Sequence, residues 1–333
     1  MRIQFQTMQA KFQEILLKEG FPRDKALNCA TIFAENSLDG VYTHGLNRFP
    51  WFVEMIKLGL IEKDVEPTLE GHNGLIEQWN GNLAPGVLNA KFCMNRAIAL
   101  AKEYGIGCVT LRNTNHWMRG GTYGWQAANA GFIGICFTNT IANMPPWGGV
   151  DPRLGNNPLI IAVPRKEGHV VLDMAMSQYS IGKLLQYQSN NEGLPIPGGY
   201  DIEGNLSTDA ADIIHSKRLL PVGFWKGSGL SLLLDLLVSS LSLGRSTADI
   251  SNDPNEHGLS QLFISIRPTN EEFAGQIIEQ IINYTKKSNL TDPENVVSYP
   301  GENTLKKRTR NLKEGIPVDV EIWNKILKMG DAT

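Results

Sequence analysis

A histidine and an arginine, His44 and Arg48, stand four residues apart near the start of this sequence of 333 residues. Histidine exchanges a proton near neutral pH, and arginine is a permanent cation whose planar fork matches a carboxylate. Residues four apart share one face of an α-helix, so this pair could protonate one end of a small acid while holding the other. Gly40 and Gly45 bracket the histidine, which indicates a tight turn or close approach of a ligand. A surface or capping pair, with Arg48 bound to a nearby carboxylate, would have the same spacing.

Further motifs rich in glycine, proline, asparagine and aromatic residues follow along the chain. They are Ser37-x2-Gly40-x3-His44-Gly45-x2-Arg48, Asn113-Thr-Asn115-His116-Trp117, Gly120-Gly121-Thr-Tyr-Gly124, Asn143-Met-Pro-Pro-Trp147-Gly148, Gly155-Asn-Asn157-Pro158, Leu172-Asp173-Met174-Ala175, Trp225-Lys226-Gly227-Ser-Gly229 and Pro300-Gly301-Glu302. In this order they resemble the malate/L-lactate dehydrogenase-like family of NAD(P)-dependent 2-oxoacid reductases, which is not the Rossmann-type lactate dehydrogenase family. The resemblance spans nearly the whole chain.

The resemblance implies hydride transfer from a reduced nicotinamide to the carbonyl carbon of a 2-oxo acid. His44 would be the general acid that protonates the nascent alkoxide, and Arg48 would bind the substrate carboxylate and polarise the adjacent carbonyl. Thr43 would offer a hydroxyl to the substrate. His116 and Trp147 are expected to line the substrate pocket. Within the family, the segments 44–50, 116–121 and 224–229 most resemble a member that acts on a diketo sugar acid.

The resemblance also implies a homodimer that binds its cofactor at the subunit interface. The cofactor-binding residues would be His169, Val170, Val171, Leu172, Asp173, Met174, Ala175, Trp225, Lys226, Gly301, Glu302 and Asn303. Of these, Lys226 can meet a phosphate as a point charge, and Asp173 can accept a hydrogen bond at the end of a strand. NADH is the expected cofactor and NADPH the alternative, because no residue can be assigned to the ribose 2′ position from the sequence.

Other catalytic motifs are absent from the sequence or incomplete. Gly227-Ser-Gly229 imitates the start of the dinucleotide motif G-x-G-x-x-G, but Leu232 replaces the last glycine and a helix fills the span where a second strand is needed. The helix N-terminus could still offer amide N–H groups to an anion. Neither H-E-x-x-H nor a clustered ligand set for zinc occurs, and no G-x-S-x-G elbow is present. A Rossmann site, a metal site and a hydrolase are therefore not expected.

Hydrophobic periodicity predicts helices near both chain ends, with alternating strands and helices between them. Helices are predicted over about 12–19, 24–38, 52–58, 90–104, 123–130, 230–243, 270–288 and 320–328, and strands over 107–111, 133–138, 159–163, 170–174 and 262–266. Residues 192–204 are expected to form a mobile surface loop, and the basic run 306–310 a solvated face.

These elements predict an α+β protein. A helical domain would comprise residues 1–75, completed by 230–333, and a sheet-containing cofactor-binding domain would comprise 76–229. The family resemblance makes this sheet non-Rossmann, mixed and largely antiparallel.

The composition bounds the cellular setting. A net charge of −3 with scattered basic residues gives no footprint for nucleic acid. The four cysteines form no C-x-x-C pair and are expected to be free thiols in a reducing compartment. The charged N-terminus lacks a signal-peptide core, and the apolar segment 230–243 is too short and polar for a membrane span. A cytoplasmic protein with a small-molecule substrate is predicted.

Two alternatives stay open. One is a family member that acts on another substrate: malate, lactate, ureidoglycolate or piperideine-2-carboxylate. The other is a non-catalytic protein that binds a small acid with the histidine and arginine alone. The full set of glycine- and proline-marked motifs argues against this second alternative.

Overall fold

The computed structural model describes residues 1–331 and has helices and strands throughout the chain. The helices are α1 Phe5–Lys18, α2 Arg23–Leu38, α3 Phe49–Lys57, α4 Gly86–Tyr104, α5 Gly121–Asn129, α6 Ile181–Asn190, α7 Ala210–Ser216, α8 Trp225–Ser242, α9 Thr247–Ile250, α10 Glu271–Lys286, α11 Glu302–Glu314 and α12 Val320–Asp331. The strands are β1 Arg2–Ile3, β2 Thr68–Asn73, β3 Ile76–Asn80, β4 Ile106–Thr114, β5 Ile133–Thr138, β6 Ala142–Met144, β7 Leu154–Gly155, β8 Leu159–Val163, β9 Val170–Met174, β10 Gly199–Tyr200, β11 Leu206–Ser207, β12 Leu259–Ile266 and β13 Ile316–Pro317. Within residues 1–331, no helix has both the length and the apolar composition needed to cross a membrane.

A seven-stranded sheet forms the middle of the molecule, in the order β2-β3-β4-β12-β5-β8-β9. Only β3 and β4 pair in parallel, and the other neighbours are antiparallel. The predicted mixed, largely antiparallel sheet is thereby confirmed. Strand β12 comes late in the chain but inserts between β4 and β5, so both of its edges are paired.

Both faces of the sheet are covered, because side chains of a strand point alternately to opposite faces. Phe263 of β12 packs with Cys136 of β5 in a core that α4 and α5 close. The adjacent residue Leu262 faces the other way and packs in a second core with Val238 of α8. Both faces of β12 are therefore buried, including its polar residues Ser260, Gln261 and Ser265.

A third core is helical and is built from both chain ends, as predicted. It joins α1, α2 and α3 to α12, with Phe12 stacked on Phe49 at 4.1 Å between ring centroids and Trp323 and Ile326 among the late residues. Strands β1 and β13 pair and tie the two ends together. The proposed division at residues 75 and 230 remains a prediction, and the sheet extends past it on both sides, with β2 and β12.

The predicted elements recur in the structure with ends shifted by up to seven residues, the largest shift being at the start of α1, and several elements were not predicted. Strand β2 is an exposed edge without regular apolar alternation, so it left no strand pattern. Helix α11 is strongly polar, and its basic run was expected to be a solvated face. Lys306 and Arg310 are exposed, but Arg308 pairs with Asp39 at 2.7 Å. Part of the expected loop 192–204 forms β10, which pairs with β11.

Candidate active site

The segment that carries His44 is fixed against the end of α2 by two small residues. Ser37 donates from its hydroxyl to the carbonyl of Phe33 (3.0 Å) and accepts from the amide of Leu46 (2.8 Å). A Cβ on Gly45 would lie 2.2 Å from the Ser37 hydroxyl oxygen. Glycine is therefore the only residue that fits here without a rearrangement. The serine and the second glycine of the motif therefore serve to dock the segment.

His44 and Arg48 do not share one α-helix face, which corrects the sequence-based prediction. They end two successive 3₁₀ turns, Tyr42–His44 and Leu46–Arg48, and Gly45 between them has φ −115°, ψ −117°, which is neither helical nor extended. The break arises because Gly45 must press against α2, which interrupts a continuous helix before α3 begins. The two side chains are nevertheless brought to one cluster by residues from elsewhere.

Two aromatic rings connect His44 to Arg48. The His116 ring stacks on His44, with 5.9 Å between centroids and 19° between planes. Trp51 of α3 meets His116 edge-on at 6.1 Å, and the Arg48 guanidinium carbon lies 4.0 Å from the centroid of the Trp51 ring. Two imidazoles and a cation thus line one half-buried patch, where electrostatic interactions are stronger than in water.

The Arg48 guanidinium forms no ion pair within residues 1–331. Among residues 1–331 no carboxylate oxygen lies within 4 Å of its guanidinium, and the nearest negative influence on it is Glu256. Burial lowers the pKa of Arg48, and Glu256 opposes this shift. A half-buried guanidinium stacked on tryptophan without a paired carboxylate is suited to an incoming anion.

Charges around His44 set its protonation. Burial lowers the pKa of His44 to about 4, Asp173 raises it, and Arg48 and Arg119 lower it further. Arg119 is itself buried and forms an ion pair with Asp39. The imidazole is therefore neutral at neutral pH until a negative group approaches it.

Thr43 lies beside the imidazole. Its hydroxyl oxygen is 3.3 Å from Nδ1 of His44. A Cβ on Gly182 would lie 2.6 Å from the Thr43 side chain, so the start of α6 passes directly over this residue. The contact orients the ring so that its other nitrogen, Nε2, is the atom available to a ligand.

The predicted cofactor segment 169–175 is strand β9 with one flanking residue on each side, and β9 is an edge strand of the large sheet. Asp173 accepts from the amide of Gly121 at 2.8 Å and so caps α5. Gly301, at φ +96°, lies against this strand, since a Cβ there would be 3.1 Å from the His169 carbonyl oxygen and the Val171 nitrogen. Two segments far apart in sequence are thus brought together, and the charge of Asp173 on this strand raises the pKa of His44.

Trp147, Trp225 and Lys226 belong to a second group. The Trp147 ring lies 5.2 Å from that of Phe224, its amide donates to Ser228, and half of its surface is exposed. Trp225 and Lys226 are exposed at the start of α8. This helix start is joined to the end of β9, because the Val222 amide donates to the Met176 carbonyl at 2.8 Å.

Near Gly301 the structure differs in detail from the predicted cofactor residues. The Glu302 carboxylate is already engaged by Lys286 at 2.9 Å, and Asn303 is exposed. The next residues, Thr304 and Leu305, line a cleft of about 450 Å³ together with Trp125. The buried indole N–H of Trp125 has no hydrogen-bond partner among the described residues.

Sequence reasoning missed several residues of this site, among them Trp51, Arg119, Trp125 and Glu256. Their types are common in cores and ion pairs, and no spacing connects them to His44 or Gly301. Within residues 1–331, no group of three or more histidine, cysteine, aspartate or glutamate side chains is arranged to hold a metal ion.

Comparison with known proteins assigns the chain to a family. Residues 3–327 match the model of the malate/L-lactate dehydrogenase family. The chain is 43% identical over 330 residues to 2,3-diketo-L-gulonate reductase of Pasteurella multocida (strain Pm70), covering 98% of this chain and 99% of that one. It is 42% identical over 334 residues to the enzyme of the same name from Escherichia coli O6:K15:H31 (strain 536 / UPEC), with the same coverage.

The fold agrees with this assignment. Malate dehydrogenase from Pyrococcus horikoshii OT3 superimposes with a TM-score of 0.90 at 27% identity, covering 100% of this chain and 96% of that one. The chain belongs to the malate/L-lactate dehydrogenase family. It is an oxidoreductase, and its family implies a nicotinamide cofactor.

Proposed function

We propose that this protein reduces 2,3-diketo-L-gulonate to 3-keto-L-gulonate with NADH, and that NADPH is the alternative donor. Relatives named 2,3-diketo-L-gulonate reductase are similar to this chain over nearly its full length. The observation that carries the proposal is the free fork of Arg48 beside the His44 imidazole, which suits a substrate with a carboxylate next to a carbonyl.

The chain's own residues divide the work. Arg48 holds the substrate carboxylate through two parallel hydrogen bonds and so orients the neighbouring carbonyl. The substrate's negative charge offsets the Arg48 cation, which raises the pKa of His44 from its ligand-free value of about 4 and lets the imidazole carry a proton. His44 donates this proton to the carbonyl oxygen as it is reduced, and Thr43 holds the ring in place. A bound reduced nicotinamide supplies the hydride.

The residues around β9 fit a nicotinamide nucleotide. An edge strand presents backbone groups that have no strand neighbour. The Val171 amide already donates to the Pro300 carbonyl at 2.9 Å, and the other free backbone groups of segment 169–175, with Gly301, would hold the nucleotide. Lys226, at the far end of the same edge, can meet a phosphate. We include Thr304 and Leu305 in this site and regard Glu302 and Asn303 as neighbours.

A homodimer and a cytoplasmic location complete the proposal. Helix α8 exposes a row of large apolar side chains: Leu232, Leu233, Leu236 and Leu237 are each 47–56% exposed. Such a continuous apolar surface is typical of an interface. The four cysteines are free, which suits a reducing compartment.

The direct test is the loss of nicotinamide absorbance when purified protein is mixed with NADH and 2,3-diketo-L-gulonate. Pyruvate, oxaloacetate and NADPH are run in parallel. Fast loss with the diketo acid supports the full proposal, and loss with another acid keeps the chemistry but changes the substrate. Absence of loss with every acid, alongside NADH binding, contradicts the proposal and turns attention to cyclic imino acids or to a binding role. Lys226→Gln should raise the NADH dissociation constant in the same preparation.

A further inference from the structure

A buried carboxylate, Glu256, faces the site from the loop between α9 and β12. Its Oε1 accepts from the amide of Ile141 at 2.9 Å, and its Oε2 lies 4.0 Å from Nε2 of His116. Only 11% of the side chain is exposed. A carboxylate so removed from water needs hydrogen-bond partners, and Oε2 has no donor within hydrogen-bonding distance among the described residues.

The tautomer of His116 is determined by the backbone. The amide of Met118 donates to Nδ1 of His116 at 2.9 Å, so Nδ1 is an acceptor and the ring proton sits on Nε2. Burial, followed by the charges of Arg48 and His44, holds the pKa of His116 well below its usual range, which keeps the ring neutral. His116 therefore presents one N–H donor, and this donor faces Glu256.

A donor and an acceptor separated by 4.0 Å are too far apart to bond to each other, but one oxygen can bond to both. An oxygen about 2.8 Å from each atom would see them at an angle of about 90°, within reach of hydrogen-bond geometry. A hydroxyl can accept from Nε2 and donate to Oε2. A carbonyl or carboxylate oxygen can only accept, so it would leave Glu256 unsatisfied and be repelled by it.

The position of this pair ties it to the reaction. The His116 ring stacks on His44 and contacts Trp51 edge-on. The Arg48 guanidinium lies over the ring of Trp51. The charge of Glu256 also acts on Arg48, so the pair lies near the proposed carboxylate site.

We propose that Glu256 and His116 form a hydroxyl-recognition pair that selects polyhydroxylated 2-oxo acids over analogues without hydroxyls. The inference rests on the proposed function, because it extends the same substrate site. Glu256 acts here as a specificity residue, whereas Arg48 and His44 serve every 2-oxo acid alike.

The test compares two substrates that differ only in their hydroxyls, 2,3-diketo-L-gulonate and 2,3-dioxohexanoate. Glu256→Gln keeps an oxygen for the Ile141 amide but replaces the acceptor at Oε2 with a donor. The ratio of kcat/KM for the two acids should fall by about 10- to 100-fold, the usual value of a buried hydrogen bond to a charged group. His116→Phe should lower the same ratio, and the double variant should lower it no further than either single change.

Equal losses on both acids in Glu256→Gln, or an unchanged ratio, would overturn the hydroxyl reading, since a merely structural role affects both substrates alike. Binding of L-gulonate and of hexanoate, measured by calorimetry, gives the same comparison without turnover. If the wild-type protein reduces no 2-oxo acid, the proposed function fails. A Glu256-dependent preference for L-gulonate would still support the recognition pair, and its absence would refute it.

Discussion

The fork of Arg48 gives the sharpest prediction about this site. Arg48→Lys keeps the positive charge but replaces two parallel N–H donors with one point charge. The structure makes this a clean change, because the guanidinium has no carboxylate within 4 Å among residues 1–331 and rests on the Trp51 ring at 4.0 Å. The substitution therefore breaks no ion pair of the protein, and its main effect falls on the bound acid.

The magnitude follows from the lost contacts. One charge-assisted hydrogen bond contributes about 1.5–3 kcal/mol, which corresponds to roughly 10- to 150-fold in kcat/KM. The stack on Trp51 adds about 0.5–2 kcal/mol to the positioning of the cation, and lysine retains part of it. We expect Arg48→Lys to lower kcat/KM for the 2-oxo acid by roughly 10- to 150-fold.

The assay follows nicotinamide absorbance with the acid and, as the matched control, with its methyl ester, which lacks the carboxylate. The ester should react slowly with both proteins and differ between them by less than about threefold, because it offers no anion to the fork. Trp51→Phe, which keeps a ring under the cation, should cost less than Arg48→Lys. Wild-type kcat/KM on the acid, or an equal loss on the ester, would refute the assignment of Arg48 as the carboxylate clamp.

Three further predictions concern His44 and Gly45. His44→Asn should lower kcat by about 10²- to 10⁴-fold while NADH still binds in a fluorescence titration, and full turnover across pH would exclude His44 as the proton donor. The pKa of His44 falls from 6.5 to about 4 on folding, so between these values the unfolded chain binds a proton that the folded protein does not. Wild-type stability to urea should therefore decline as the pH falls through this window, more steeply than that of His44→Asn, and parallel curves would contradict the burial of a neutral ring. Gly45→Ala should destabilise the protein by about 1–3 kcal/mol, because its Cβ would lie 2.2 Å from Ser37 Oγ and 2.9 Å from the Phe33 carbonyl oxygen. Gly275→Ala, whose Cβ would meet nothing within 4 Å in helix α10, is the control and should be neutral or stabilising in the same urea titration.

Elements with strong local patterns were predictable from the sequence. Apolar runs such as 133–138 and 159–163, rich in isoleucine and bounded by turn residues, are strands at the predicted residues. Helix α11 was not predicted, since its stability comes from polar contacts with α2: Asn311 donates to the Leu38 carbonyl at 2.8 Å, and Arg308 pairs with Asp39. Such contacts have no periodic signature.

The same distinction holds within the site. His44 and Arg48 could be selected as candidate site residues because their chemistry and spacing are local. The prediction that they share one helix face was wrong, because Gly45 docks on Ser37 and breaks the helix. Asp173 was predicted to accept a hydrogen bond as a cofactor-binding residue, which stays a prediction, and the structure shows one bond that it accepts within the protein. Its donor, the Gly121 amide, became known only from the packing of α5 against β9.

The sequence by itself determined the family, the mixed sheet flanked by helices from both chain ends, and the candidate proton donor and carboxylate clamp. These follow from residue types and short spacings, which act along the chain. The tertiary structure alone decided that His116 stacks on His44, that Arg48 has no internal carboxylate partner in residues 1–331, and that Glu256 faces His116 from 140 positions away. The physical reason is topological: β12 inserts between β4 and β5, and this long-range pairing brings the loop before it, with Glu256, to the end of β4.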